Sequence, residues 1–208
     1  MYIPPSFNES DLRRIVSLVQ ANPFGMLVTV VDGVPTVSHL PFLLEESANG
    51  GLKLWGHVAR ANPQWKHLSS GRNVLVVFSG PHAYISPAWY AAPGVPTWNY
   101  AVAHLHGKPR LITSDTELME QLRCLTDKFE SMRPNPWTPT MTDENRRNLL
   151  AMIVGFEIQI THTQGKFKLG QNRSLEDQRR VAVELARSGN ATEVALSKLM
   201  QLPEREGP

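Results

Sequence analysis

One cysteine, Cys124, is all the chain has in 208 residues, so no internal disulfide can form and a reducing compartment suits it. Its setting, Gln121-Leu122-Arg123-Cys124-Leu125, has helical character, and a lone thiol there reads as a small hydrophobe rather than a nucleophile. No apolar run reaches the length of a membrane span. Met1-Tyr2-Ile3-Pro4-Pro5 lacks the charged and apolar segments of a secretory leader, so the expected location is cytoplasmic. The formal charge is only +2, too small by itself to argue for nucleic acid. The G-x-S-x-G, P-loop and G-x-G-x-x-G patterns are all missing, which removes nucleophile-elbow hydrolases, P-loop enzymes and Rossmann dehydrogenases. There are no cysteine pairs or spaced carboxylates of a zinc site, and no catalytic residue is singled out.

What remains is an ordinary globular composition, 41% hydrophobic and 19% charged, sized for one domain or one domain with a helical appendage. Ser10 or Asn8 can cap a first helix through Leu12, Ile15, Val16 and Val19, ended by Asn22-Pro23. Gly25 to Val31 reads as a strand, Asp32-Gly33 as a two-residue hairpin turn, and Val34 to Leu44 as the returning edge strand. Asn49-Gly50-Gly51 predicts a second turn before a third strand. Further strands are predicted at Asn73 to Ser79, broken by Gly80-Pro81 and resumed at His82 to Ser86, and at Thr97 to His106, with another piece at Arg110 to Ile112. Ser114, Thr142 and Ser174 each read as helix caps, and Phe156 to Thr161 alternates as a half-buried strand. Two helices close the chain, turning at Ser188-Gly189-Asn190. About six short strands with inserted and appended helices predict an α+β fold built on a small antiparallel barrel.

Three constellations could carry chemistry. Trp55-Gly56-His57-Val58-Ala59-Arg60-Ala61-Asn62-Pro63-Gln64-Trp65 reads as a strand entering a helix, with Asn62 as N-cap and Pro63 at the first helical position. A helix start favours an anion, and Arg60 and His57 add a cationic collar that suits a phosphate. The same segment also reads as a plain capped helix with a solvated arginine. His104 and His106 share a strand face and, with His82 or His39, could begin a metal site or form a hydrogen-bonded wall. Trp98-Asn99-Tyr100 pairs a flat ring with an amide, a combination that suits a planar heterocycle or a core position. Trp89 and Tyr90, in a proline-rich loop, suit closure over a ligand or a partner subunit.

Six segments occur together in order: Met1 to Phe7, Ser38-His39-Leu40-Pro41-Phe42, Gly56 to Trp65, Gly80 to Pro87, Val95-Pro96-Thr97-Trp98-Asn99-Tyr100, and Gln171-Asn172-Arg173-Ser174. They resemble the PaiB-like family of FMN-binding negative transcriptional regulators over nearly the whole chain. The resemblance implies an FMN-binding split β-barrel over residues 1–165, a helical appendage over 166–208, and a homodimer with flavin at the subunit interface. It implies a phosphate collar of His57, Val58, Ala59, Arg60 and Asn62, with Ser38, His39 and Leu40 beside the flavin and Trp98 and Asn99 facing it. Gly170 stands where the family pattern has a serine, so that position offers no hydroxyl. Other split barrels imply two alternatives, a flavin-dependent oxidoreductase or reductase and a haem-binding protein. DNA as a partner rests on the family alone, because Arg179, Arg180, Arg187 and Lys198 are interleaved with Glu176, Asp177, Glu184 and Glu193.

Overall fold

A computed structural model describes residues 1–47 and 50–200. Among these residues, eight antiparallel strands and six helices follow one another, in keeping with the α+β expectation. The strands are β1 Asn8–Glu9, β2 Phe24–Val31, β3 Val34–Pro41, β4 Leu43–Glu46, β5 Leu52–Ala59, β6 Val74–Ile85, β7 Thr97–Leu111 and β8 Ile153–Lys168. The helices are α1 Leu12–Ala21, α2 Gln64–Leu68, α3 Asp115–Glu130, α4 Asp143–Ala151, α5 Leu175–Arg187 and α6 Ala191–Met200. The strands run in the order β3-β2-β6-β7-β8-β5-β4, with β1 paired to β8.

The local rules hold where short-range chemistry decides the conformation. Asp32 (φ 51°) and Gly33 (φ 77°) adopt the positive φ angles that a type I′ hairpin turn requires. Ser114, Thr142 and Ser174 accept hydrogen bonds from the third residue of their helices, as capping predicts. Helix α1 departs from expectation, because neither Ser10 nor Asn8 caps it. Asp11 does so, its Oδ1 accepting from Arg13 N at 2.9 Å. The edge strand expected over Val34 to Leu44 divides at Phe42, which turns into the core at 1% exposure. Asn49 of the second predicted turn lies outside the described residues. The predicted break at Gly80-Pro81 is absent and β6 runs through it; Gly80 is where the chain lies against Leu18 of α1, leaving no room for a Cβ. Strand β7 likewise runs through Gly107, and β8 reaches well beyond the alternating segment at both ends.

Two compact units share these long strands. The first comprises Met1–Ala21, Ser79–Ala103 and the described part of Gln164–Pro208, and the second comprises Asn22–Phe78 and His104–Thr163. In the first unit, Asp177 is 2% exposed and fixes α5 to the proline-rich loop, accepting from Ala91 N at 2.7 Å. In the second unit, Phe42 packs edge-on against Phe78 and Phe156, with ring centroids 5.6 and 6.2 Å apart. Gly56 makes room for this cluster, since a Cβ there would lie 2.9 Å from Phe156 Cζ.

The same unit holds a fully buried amide. Gln64 Nε2 donates to Leu27 O, Thr29 Oγ1 and Thr36 O, each at 3.1 Å, and so pins α2 to the β2–β3 hairpin. Replacing Gln64 by Leu removes all three bonds, leaving Thr29 Oγ1 with only His67 Nδ1 at 2.9 Å, and should cost about 2–4 kcal/mol of stability in urea denaturation. A loss below about 1 kcal/mol would contradict the anchoring role.

Candidate functional site

Strand β5 alternates. Leu52, Leu54, Gly56 and Val58 face the core, while Lys53, Trp55 and His57 occupy the opposite face. Val58 is therefore 1% exposed, with its side chain in the core, so only its backbone is placed to serve the collar. Trp55 Nε1 and His57 Nδ1 are both buried without a hydrogen-bond partner. Burial pushes the His57 ring below its ordinary pKa of 6.5.

Past Ala59 the chain turns, and Asn62 organises the turn. Its Oδ1 accepts from Gln64 N at 3.0 Å and its Nδ2 donates to Ser38 Oγ at 2.9 Å, although the cap position itself falls on Pro63, one residue later than predicted. Two segments far apart in sequence, Ser38-His39-Leu40 and the collar, are thereby joined. Pro63 has helical dihedrals, yet the regular helix is only Gln64–Leu68, and Lys66 N donates back to Pro63 O at 3.0 Å. The first-turn donors are thus largely used internally. Few free N–H groups are therefore left at this helix start, and side chains carry most of the positive pole.

Arg60 is partly committed. Its Nε donates to Ala151 O at 2.7 Å and its Nη2 to Ile153 O at 2.9 Å, while its backbone N donates to Met152 O at 2.8 Å. The fork leaves Nη1 for an anion. Trp65 Nε1 donates to Arg60 O at 3.1 Å and braces the turn from below. On β3, His39 is exposed and lies over Phe24 with ring centroids 6.3 Å apart, while Ser38 and Leu40 are half-buried.

Trp98 and Asn99 belong to the first unit. Trp98 is 54% exposed and has His82 and Tyr84 beside it, each with a centroid 6.3 Å away. Asn99 points the other way. At 3% exposure its Nδ2 sits 3.8 Å from Met200 Sδ, so its amide is turned into the unit. Tyr90 stacks under Arg173, whose Cζ lies 4.2 Å from the ring centroid, a contact internal to the unit. His106 has His162 rather than His82 or His39 as its ring neighbour, at 5.7 Å. Among the described residues no three His, Cys, Asp or Glu side chains are grouped to hold a metal. The Ser38–Asn62 link and the carbonyl anchors of Arg60 are tertiary contacts that no local spacing announces.

Comparison with known proteins bears on this geometry. A family described as "Putative FMN-binding domain" matches residues 1–162. The protein named Protease synthase and sporulation protein PAI 2, from Bacillus subtilis (strain 168), is 37% identical over 203 residues, covering 97% of each chain. Flavocytochrome Anf3 from Azotobacter vinelandii has a similar fold, with TM-score 0.62 at 18% identity over 83% of this chain and 75% of that one. So does the FAD and Heme binding protein from Mycobacterium smegmatis, with TM-score 0.64 at 18% identity over 83% and 78% of the two chains. At such identity the structural likeness shows the fold alone.

The buried histidine gives a pH expectation. With its folded pKa below 6.5, His57 is held neutral in the fold while the unfolded chain binds the proton first as pH falls. Its contribution to stability is therefore full above 6.5 and is lost as pH drops through 6.5 towards the lowered folded value. Burial moves His104 in the same direction. The urea midpoint should fall between about pH 7.5 and about pH 5.5, and should fall less in His57→Gln. Equal falls in the two proteins would show that His57 does not carry this dependence.

Proposed function

The chain belongs to this FMN-binding domain family, and we propose that it works as an FMN-binding homodimer of the PaiB type, with the flavin phosphate received where the β5–α2 turn meets β3. The observation that carries the placement is the Asn62–Ser38 hydrogen bond, which ties the two motifs into one surface. The donor set there fits a phosphate: the Ser38 hydroxyl, which can donate while it accepts from Asn62, and the Nη1 of Arg60, with the unpaired Nδ1 of His57 on β5. Bound FMN supplies the electron chemistry, and the chain's own residues bind and orient it. Exposed Trp98 suits the position facing the flavin that the resemblance gives it, while Asn99 lies buried beside it.

The dimer is supported by an apolar sheet face. Phe24, Met26, Val28 and Val30 of β2 point to one side, and register sets Val37 beside Val28 and Pro35 beside Val30. Phe24, Val30 and Val37 are 65%, 56% and 48% exposed, and β6 extends the face with Leu75 and Val77. A contiguous apolar surface of this kind is characteristic of an interface. His39, paired with Met26 and lying over Phe24, belongs to this face, while Ser38 beside it in sequence faces the other side of β3.

The regulatory role rests on family membership. A direct DNA surface on α5 has little support, since Arg180 and Arg187 pair with Glu176 and Glu184 of the same helix at 3.8 and 4.0 Å. Control through the flavin or through the assembled dimer is the form of regulation these residues favour.

Two measurements test the proposal. FMN titration followed by flavin fluorescence should show affinity falling about threefold to tenfold in Ser38→Ala; unchanged affinity would remove this placement of the phosphate. Light scattering should find a dimer that Val37→Lys converts to monomer, because the lysine would be buried in the interface. A dimer that tolerates this change uses another surface.

A further inference from the structure

A second concave site lies in the same unit and does not depend on the flavin reading. Thr113 and Ser114 at the start of α3, Arg147 and Leu150 of α4, Ile153 of β8 and Trp65 of α2 are among the residues around a cleft of about 440 Å³. Its floor is apolar. Ile112, Leu118 and Leu150 form a buried cluster, with Ile153 and Leu122 packed against it. One wall is the Trp65 indole, held in place by its hydrogen bond to Arg60 O.

The charges around the cleft are unequal in their freedom. Arg60 also lines it, but two of its guanidinium nitrogens already donate to the carbonyls of Ala151 and Ile153. On α4, Arg146 pairs with Asp143 at 2.8 Å, whereas neighbouring Arg147 has no ion-pair partner among the described residues. Arg147 is therefore an uncommitted guanidinium over an apolar floor. Asp115 also lines the cleft, in the first turn of α3. An amphipathic anion satisfies this arrangement, because the guanidinium takes a carboxylate in its fork while the side chains below take a hydrocarbon body.

We propose that this cleft binds a small monocarboxylate with an apolar body, its carboxylate on Arg147 and its hydrocarbon against Leu111, Leu150 and Ile153. The ligand is recognised by charge at one end and by apolar area at the other, so affinity rises with chain length and depends on the sign of the head group.

Calorimetric titration of the full-length, FMN-loaded protein with octanoate, propionate and octylamine tests this. Octanoate should bind saturably, propionate at least about tenfold more weakly, and octylamine not at all. Arg147→Ala should weaken octanoate binding about tenfold. Arg147 is exposed and unpaired, so the variant keeps its helix and should keep its flavin absorbance. Absence of octanoate binding, equal affinity for the two acids, or unchanged affinity in Arg147→Ala would each overturn the proposal. Loss of FMN together with octanoate in that variant would also overturn it, by assigning the cleft to the flavin; failure of octanoate alone would leave the flavin reading standing.

Discussion

The amide pair Asn62 and Gln64 is the constraint on which the candidate site depends. Gln64 is fully buried and spends its Nε2 on acceptors of both strands of the β2–β3 hairpin. Asn62, two residues earlier, caps Gln64 N with one end of its side chain and reaches Ser38 with the other. A five-residue helix has little stability of its own, and these side-chain bonds position it where propensity could not. Because both amides belong to one short segment, the turn that carries Arg60 is held against β3 and cannot drift from Ser38.

This constraint shifts the source of positive potential at the site. A helix start offers an anion its free N–H groups, but here Asn62 and the chain's own carbonyls take them. What is left is a guanidinium braced by the carbonyls of Ala151 and Ile153, with one nitrogen still free. Bracing of this kind lowers the entropy lost when an anion is gripped, because the side chain is already ordered. The same bracing ties the collar to the end of α4, so the proposed anion site and the neighbouring cleft share Arg60 as a wall, while Arg147 lines the cleft.

Sequence patterns conveyed a good deal of this fold and less of the site. The Asp32-Gly33 turn and the Ser114, Thr142 and Ser174 caps were legible because a few neighbouring residues determine each of them. The unbroken course of β6 through Gly80-Pro81 was not, because that glycine serves a close approach by Leu18 rather than a turn. In the collar, residue types were legible but directions were not. Period-two alternation on a strand of known register sends Val58 and Asn99 inward, and register is a tertiary property. The apolar face formed by Phe24, Val30 and Val37 was hidden for the same reason, since it exists only once β2 and β3 are paired.

The central claim is that the turn after β5 and the strand β3 grip the phosphate of FMN. Riboflavin carries the same ring system without that phosphate, so the ratio of the two affinities isolates the grip. The account predicts that the protein binds FMN at least about tenfold more tightly than riboflavin, and that Arg60→Ala brings the ratio close to unity while riboflavin affinity changes little. Equal affinities in the unaltered protein, or a ratio untouched by Arg60→Ala, would contradict it.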